Sequence, residues 1–208
     1  MTSSSIPMTM VTLESLRPFV HDVLRAMGLP EEEAEIFGGA LVFSELRFHP
    51  GHGQGVKKLR RYSGRFTEGL VDVAAPFEVV KESPALALID AHNGIGTVAA
   101  TRAMRLAVEK SKECGIGTAI VRNSTHFGSS AVHACLGPES GCIGIAMTNA
   151  GPEMAPWGGR EPAVGTNPWG IAVPTGRGFP AVLDIALTTA GKGMMTWHAK
   201  EGLPIPLD

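Results

Sequence analysis

The chain has 208 residues, 44% of them hydrophobic, with 18 basic and 20 acidic side chains and a net charge of −2. That balance describes a globular protein with a sizeable core; it lacks the clustered Lys/Arg of a nucleic-acid binder, and no apolar run approaches the ~20 residues of a membrane span. MTSSSIPMTMVT has neither the basic nor the apolar region of an export signal, and three unpatterned cysteines (Cys114, Cys135, Cys142) fit a reducing cytoplasm.

Residues 13–27 set Leu13, Leu16, Val20, Val23, Leu24 and Met27 on one helical face, with Thr12 as N-cap and Gly28 as the stop. Pro18 stands late for a first-turn proline and argues for a start one turn later. Pro30 followed by Glu31, Glu32 and Glu33 opens a second helix, because carboxylates suit the positive helix end. It runs to about Leu46 and stops in the loop RFHPGHGQG. A short basic helix follows at about 56–68.

Residues 85–91 (ALALIDA) read as a buried strand, and 97–114 as a long amphipathic helix ended by Gly115. Then come strand GTAIVR, loop NSTHFGSS, a helix near 130–136, strand CIGIAMTN and a Pro/Gly loop at 151–168. Strands WGIAVP and AVLDIAL close the folded part. Helices first, then alternating strands and helices, indicate a mixed α/β fold. The division expected is a helical segment, 1–80, carrying the His-Gly loop, and an α/β segment, 81–208. The final KEGLPIPLD shows neither a terminal helix nor a polar tail and reads as the interior of a longer chain.

Four segments carry candidate chemistry. Gly94-Ile-Gly96-Thr-Val-Ala99 fits the dinucleotide fingerprint G-x-G-x-x-A of a Rossmann-type NADP oxidoreductase, but also a plain strand–turn–helix, and Asp90-Ala-His-Asn93 separates strand from glycine. His49 and His52 lie among glycines between helices, where an imidazole can act as acid or base; a structural loop and a metal site are the competing readings. Lys57, Lys58, Arg60 and Arg61 after it form a solvated face from which one cation can meet a carboxylate. Asn123-Ser-Thr-His-Phe-Gly128 follows a strand and precedes a helix, the position where α/β proteins bind ligands, and equally reads as a capping turn. Last, Pro156-Trp-Gly-Gly159, Gly165-Thr-Asn-Pro168 and Leu183-Asp-Ile-Ala186 surround an apolar strand. The cysteines read as buried filler.

Taken in order, SELR, the His-Gly loop, HNGIGTVAA, RNSTHFG, CIGIAMTNAGPEMAPWGG, GTNPWGIAVP and LDIALTT resemble the type-2 malate/L-lactate dehydrogenase family, with its ureidoglycolate, sulfolactate and 2,3-diketogulonate relatives. The resemblance implies a non-Rossmann malate/lactate dehydrogenase-like fold with N-terminal helices and a mixed sheet. It also implies a homodimer using NAD or NADP to interconvert a 2-oxo acid and a 2-hydroxy acid. The family's proton-donating His falls on His52, and Gly51 stands where the family has Ser. The carboxylate-binding Arg falls on Lys58, with Arg60 as the alternative. Cofactor contacts carry over to His126, Phe127, Gly128, Ser129 and Ser130, and to Val182, Leu183, Asp184, Ile185 and Ala186. Thr166 and Asn167 fall close to substrate. Family chains continue well beyond a segment like GLPIP.

Overall fold

The computed structural model describes residues 10–47, 55–189 and 191–204. Helix α1 (Leu13–Ala26) starts where Thr12 caps it, the Thr12 hydroxyl accepting the Ser15 N–H at 3.3 Å. Pro18 does not delay that start: it lies inside the helix on the exposed side, where a missing N–H is tolerated. Helix α2 (Glu31–Leu46) packs on α1 through Val20, Leu24, Phe37 and Leu41. Gly38 lets the two helices close, since a Cβ there would lie 3.3 Å from Leu24 Cδ1. A 3₁₀ turn (Val56–Lys58) leads into α3 (Leu59–Thr67), which seals this core with Leu59 and Tyr62.

Two three-stranded sheets follow. In the first, β1 (Glu78–Glu82) pairs antiparallel with β2 (Leu86–Gly94), and β2 pairs parallel with β3 (Thr118–Ser124). The crossover between β2 and β3 is α4 (Gly96–Cys114), closed by Gly115 at φ +79. The short helices α5 (Ser130–Ala134) and α6 (Leu136–Glu139) then lead to the second sheet. It runs β4 (Gly144–Met147), β5 (Trp169–Val173), β6 (Ala181–Ile185), all antiparallel. This is the mixed α/β architecture expected, with helices leading.

Two elements depart from the sequence expectation. Strand β1 carries no buried residue; it is an edge held by backbone pairing with β2, so its side chains give no alternation to read. Helix α7 (Lys192–Glu201) lies beyond AVLDIAL, the strand expected to close the folded part, with Gly202 at φ +67 ending it. Among the described residues, no helix is long and apolar enough to cross a membrane.

Candidate active site

The site forms where the segment after β3 crosses the N-terminus of α4. Thr125 ties that segment down: its hydroxyl donates to Gly94 O at 2.9 Å and accepts the Gly96 N–H at 3.1 Å. Both glycines of the fingerprint serve this internal packing, which corrects the Rossmann alternative. A Cβ on Gly96 would lie 2.0 Å from Thr125 O, and one on Gly94 would lie 2.8 Å from Ala91 O. The chain's own backbone thus fills the space a pyrophosphate needs, and the sheet has only one parallel pair.

Asp90 orders the strand ends behind this crossing. Its buried carboxylate accepts the His92 N–H at 2.9 Å, Asn123 Nδ2 at 2.8 Å and Arg122 Nε at 2.9 Å. These bonds, His92 foremost, hold its carboxyl below the usual carboxylate range. They hold His92 and Asn123, which with Asn93 lie at positive φ, a conformation that costs free energy for residues other than glycine.

The next residues are set by a buried histidine that sequence reasoning passed over. His133 Nε2–H donates to Phe127 O at 2.8 Å, so its Nδ1 accepts the Thr101 hydroxyl at 3.2 Å. Its ring lies 5.0 Å from that of Phe127, and burial pushes its pKa down to about 4, so it is neutral. His126 stays exposed at the surface of this loop. Its Nδ1 accepts the Gly128 N–H at 3.1 Å, which places the imidazole proton on Nε2, and the Tyr62 hydroxyl stands 3.4 Å from the same nitrogen.

A narrow cleft opens between α2, α3, α4 and α5, lined by Ser44, Lys58, Tyr62, Thr97, Gly128 and Ser129 among others. Lys58 is half-buried, and its ammonium has no hydrogen bond or ion pair among the described residues. Burial, then the charges of Arg61 and Lys57, bring its pKa to about 8. Tyr62 is buried edge-on against Phe37 at 4.7 Å, and that burial raises its phenol. It is the single tyrosine of the chain, one helical turn after Lys58, and this was the available signal for a residue the sequence reading missed.

Asp184 joins the cleft to the second sheet. Its Oδ2 accepts the Ser129 hydroxyl at 2.5 Å and the Ala131 N–H at 2.9 Å, so a β6 carboxylate caps α5 from outside the helix. Ser130 is 1% exposed and packs on Gly170, where a Cβ would come within 2.9 Å of its own. Val182, Leu183 and Ile185 are exposed on β6, with Ala186 half-buried after them. Farther along, Asn167 at φ +36 accepts the Ala150 N–H on Oδ1 at 3.0 Å, and Thr166 O accepts the Leu187 N–H at 2.9 Å. The structure therefore gathers Lys58, Gly128 and Ser129 in one cleft, with His126 linked through Tyr62. Arg60 is exposed, and neither it nor Thr166 and Asn167 lines the cleft. His52 lies outside the described residues; the flanks of its loop are joined by Glu45, whose Oε2 accepts the Val56 N–H at 2.7 Å.

The malate/L-lactate dehydrogenase family model matches residues 11–208. The chain is 40% identical over 196 residues to a malate dehydrogenase of Pyrococcus horikoshii, covering 94% of this chain and 54% of that protein. It is 30% identical to the (2R)-3-sulfolactate dehydrogenase (NADP(+)) of Chromohalobacter salexigens, over 95% of this chain and 58% of that one. The crystal structure of malate dehydrogenase from Entamoeba histolytica superposes with a TM-score of 0.90 at 32% identity, covering 95% of this chain and 55% of that one. The chain thus spans a little over half the length of these relatives, and within that span sequence and fold agree. It belongs to the malate/L-lactate dehydrogenase family.

Proposed function

We propose that the chain builds the site of an NAD- or NADP-dependent oxidoreductase interconverting a 2-oxo acid and a 2-hydroxy acid. The observation that carries this reading is the cleft of a dehydrogenase-family member in which a half-buried Lys58 meets Tyr62, Gly128 and Ser129. An ammonium drawn out of water beside two other cations favours an anion, and the malate and sulfolactate in the relatives' names are both carboxylates. The family's homodimer and the cytoplasm belong to the same proposal.

The segment His126–Ser130 and the strand Val182–Ala186 are proposed to hold the cofactor. Two buried hydroxyls, that of Ser130 in the first and that of Thr188 just beyond the second, have no partner among the described residues, which suits a polar ligand group. When bound, the reduced cofactor supplies a hydride for the carbonyl carbon. His52 gives the proton to the carbonyl oxygen, and Lys58 holds the carboxylate as a point charge rather than with a guanidinium fork. Arg60 is the alternative partner, and Thr166 and Asn167 flank the substrate. One observation favours a second proton donor: His126 carries its proton on Nε2 and stands beside Tyr62 of the cleft.

Fluorescence titration with NADH and NADPH, followed by turnover of oxaloacetate, 3-sulfopyruvate and pyruvate, tests the reading. Saturable binding of one cofactor and oxidation of it by one acid are expected. His52→Ala should lower kcat by about 10²–10⁴ with cofactor affinity intact, and Lys58→Ala should raise KM for the acid. The same kcat loss from His126→Ala, with His52→Ala unimpaired, selects the second donor. A folded chain that binds neither cofactor overturns both.

A further inference from the structure

Helix α4 begins without a side-chain cap, because its N-cap position holds the apolar Ile95. The Gly96 N–H is met by Thr125, whereas the amides of Thr97 and Val98, which have no intrahelical acceptor, have none among the described residues. A helix of 19 residues left open in this way carries a partial positive charge of about half a unit at that end. A second observation points to what belongs there. Thr97 is only 2% exposed, yet its hydroxyl has no hydrogen-bond partner among the described residues, and it opens into the cleft that holds Lys58. Gly128, at φ +87, keeps that hydroxyl uncovered: a Cβ there would come within 3.3 Å of Thr97 Oγ1.

Nothing in the cleft satisfies this donor. Its described walls offer three more hydroxyls that are already engaged, Ser44 donating to Ala40 O, Ser129 to Asp184 and Tyr62 paired with His126 Nδ1. Among the described residues no carboxylate lines it. A hydroxyl on a buried residue that faces the cleft without a protein partner among the described residues, the positive end of a helix and an unpaired ammonium therefore converge on one small space, and the group that completes all three is a compact anion with acceptor oxygens. The cleft is narrow and apolar on its α2 side, with Phe37, Ala40 and Leu41, which favours a small anion with a short carbon chain over a pyrophosphate.

We propose that Thr97 is a substrate-binding residue, its hydroxyl donating to a carboxylate oxygen held at the N-terminus of α4 while Lys58 supplies the counter-charge. The identity of that carboxylate as part of a 2-oxo acid rests on the dehydrogenase reading; the seat itself does not. It explains why a threonine, and not an alanine or valine, opens this helix beneath a glycine. Thr97→Val keeps the shape and removes a hydroxyl that bonds to nothing in the free protein, so the variant is expected to fold; its unfolding midpoint checks this.

Oxalate, a non-reacting dicarboxylate, is titrated calorimetrically into the protein with and without NADPH or NADH, beside steady-state kinetics with a 2-oxo acid. Losing a hydrogen bond to a charged group should weaken oxalate binding by about tenfold in Thr97→Val and raise KM likewise. The expected companion results are a smaller change in kcat, unchanged cofactor affinity and recovery to within about threefold in Thr97→Ser. Oxalate that fails to bind the wild-type chain, or binds Thr97→Val equally well, overturns the proposal. So does a Thr97→Val loss confined to cofactor binding, which would make the seat a phosphate site. The two readings separate cleanly. Thr97-dependent oxalate binding without turnover of any 2-oxo acid keeps the seat and removes the dehydrogenase reading, whereas turnover with an unchanged KM does the reverse.

Discussion

The helical core around α1–α3 and the sheet β4–β6 contain similar apolar residues and use them differently. In the first, Val20, Leu24 and Phe37 are at most 1% exposed, and α4 adds Ile95 and Val98 from the far side. In the second, one face packs on α5 through Gly144, Ala146, Gly170 and Ala172, residues small enough for close approach. The other face sets Ile145, Ile171 and Leu183 in one row and Met147, Trp169 and Ile185 in the next, with Met147 69% exposed. Adjacent apolar rows facing outward make a surface that gains free energy when covered. The difference bears on the cleft between them. Its Lys58–Tyr62 wall stands on a closed core, whereas its Ser129 side rests on the second sheet, packed there through α5 and joined to β6 by the Asp184 carboxylate.

Breaking the closed side should have the largest effect. Leu24 is fully buried against α2, so Leu24→Ala should cost about 3–5 kcal/mol, the range of large-to-small changes in a core that cannot collapse, and urea unfolding measures it. A loss below about 1 kcal/mol would show that this core yields, and the contrast would fail.

The joint between the regions should respond next, and to pH. His133 is neutral in the folded protein, with its pKa pushed from 6.5 to about 4. Between those values the unfolded chain takes up a proton that the folded chain refuses, so stability is intact above about pH 6.5 and falls as the pH drops toward 4. At about 1.4 kcal/mol per pH unit across that window, the loss approaches about 3 kcal/mol. Unfolding free energies at pH 7.5, 6 and 5 check the slope, and His133→Gln, which does not titrate, should flatten it. An equal slope in that variant would assign the acid sensitivity to other groups.

Local chemistry made much of this legible. Thr12, Gly115 and the triple-Glu start of α2 mark their helix ends because a cap or a left-handed stop is a property of one or two residues. Strand β1 left no trace because all five of its residues are exposed and its stability lies in backbone pairing with β2. The site divides in the same way. Lys58 and the His126–Ser129 segment stand out as polar or glycine-rich breaks, and their motifs carry them. His133 and Asp184 act across 6 and 53–55 residues of sequence, His133 on Phe127 and Asp184 on Ala131 and Ser129, and neither has a neighbour that announces the partner. Thr97 was hidden for a further reason: in the fingerprint reading of Gly94–Ala99 the glycines carry the pattern, while the residue with the unmet donor stands just after them.

The smallest expected effect sharpens the comparison most. Ile145→Thr and Leu183→Thr sit side by side on the outer face of the second sheet, and threonine keeps the strand preference of a β-branched residue. Because both side chains are about half exposed, the double variant should shift stability by only about 0.5 kcal/mol. Its association should change more: light scattering across a concentration series should report weaker self-association than for the unaltered chain. A stability loss above about 2 kcal/mol, the size of a buried-core deletion, would mean that these rows are covered within a single molecule. The two regions would then be cores of one kind, and the contrast drawn between the two sides of the cleft would fall.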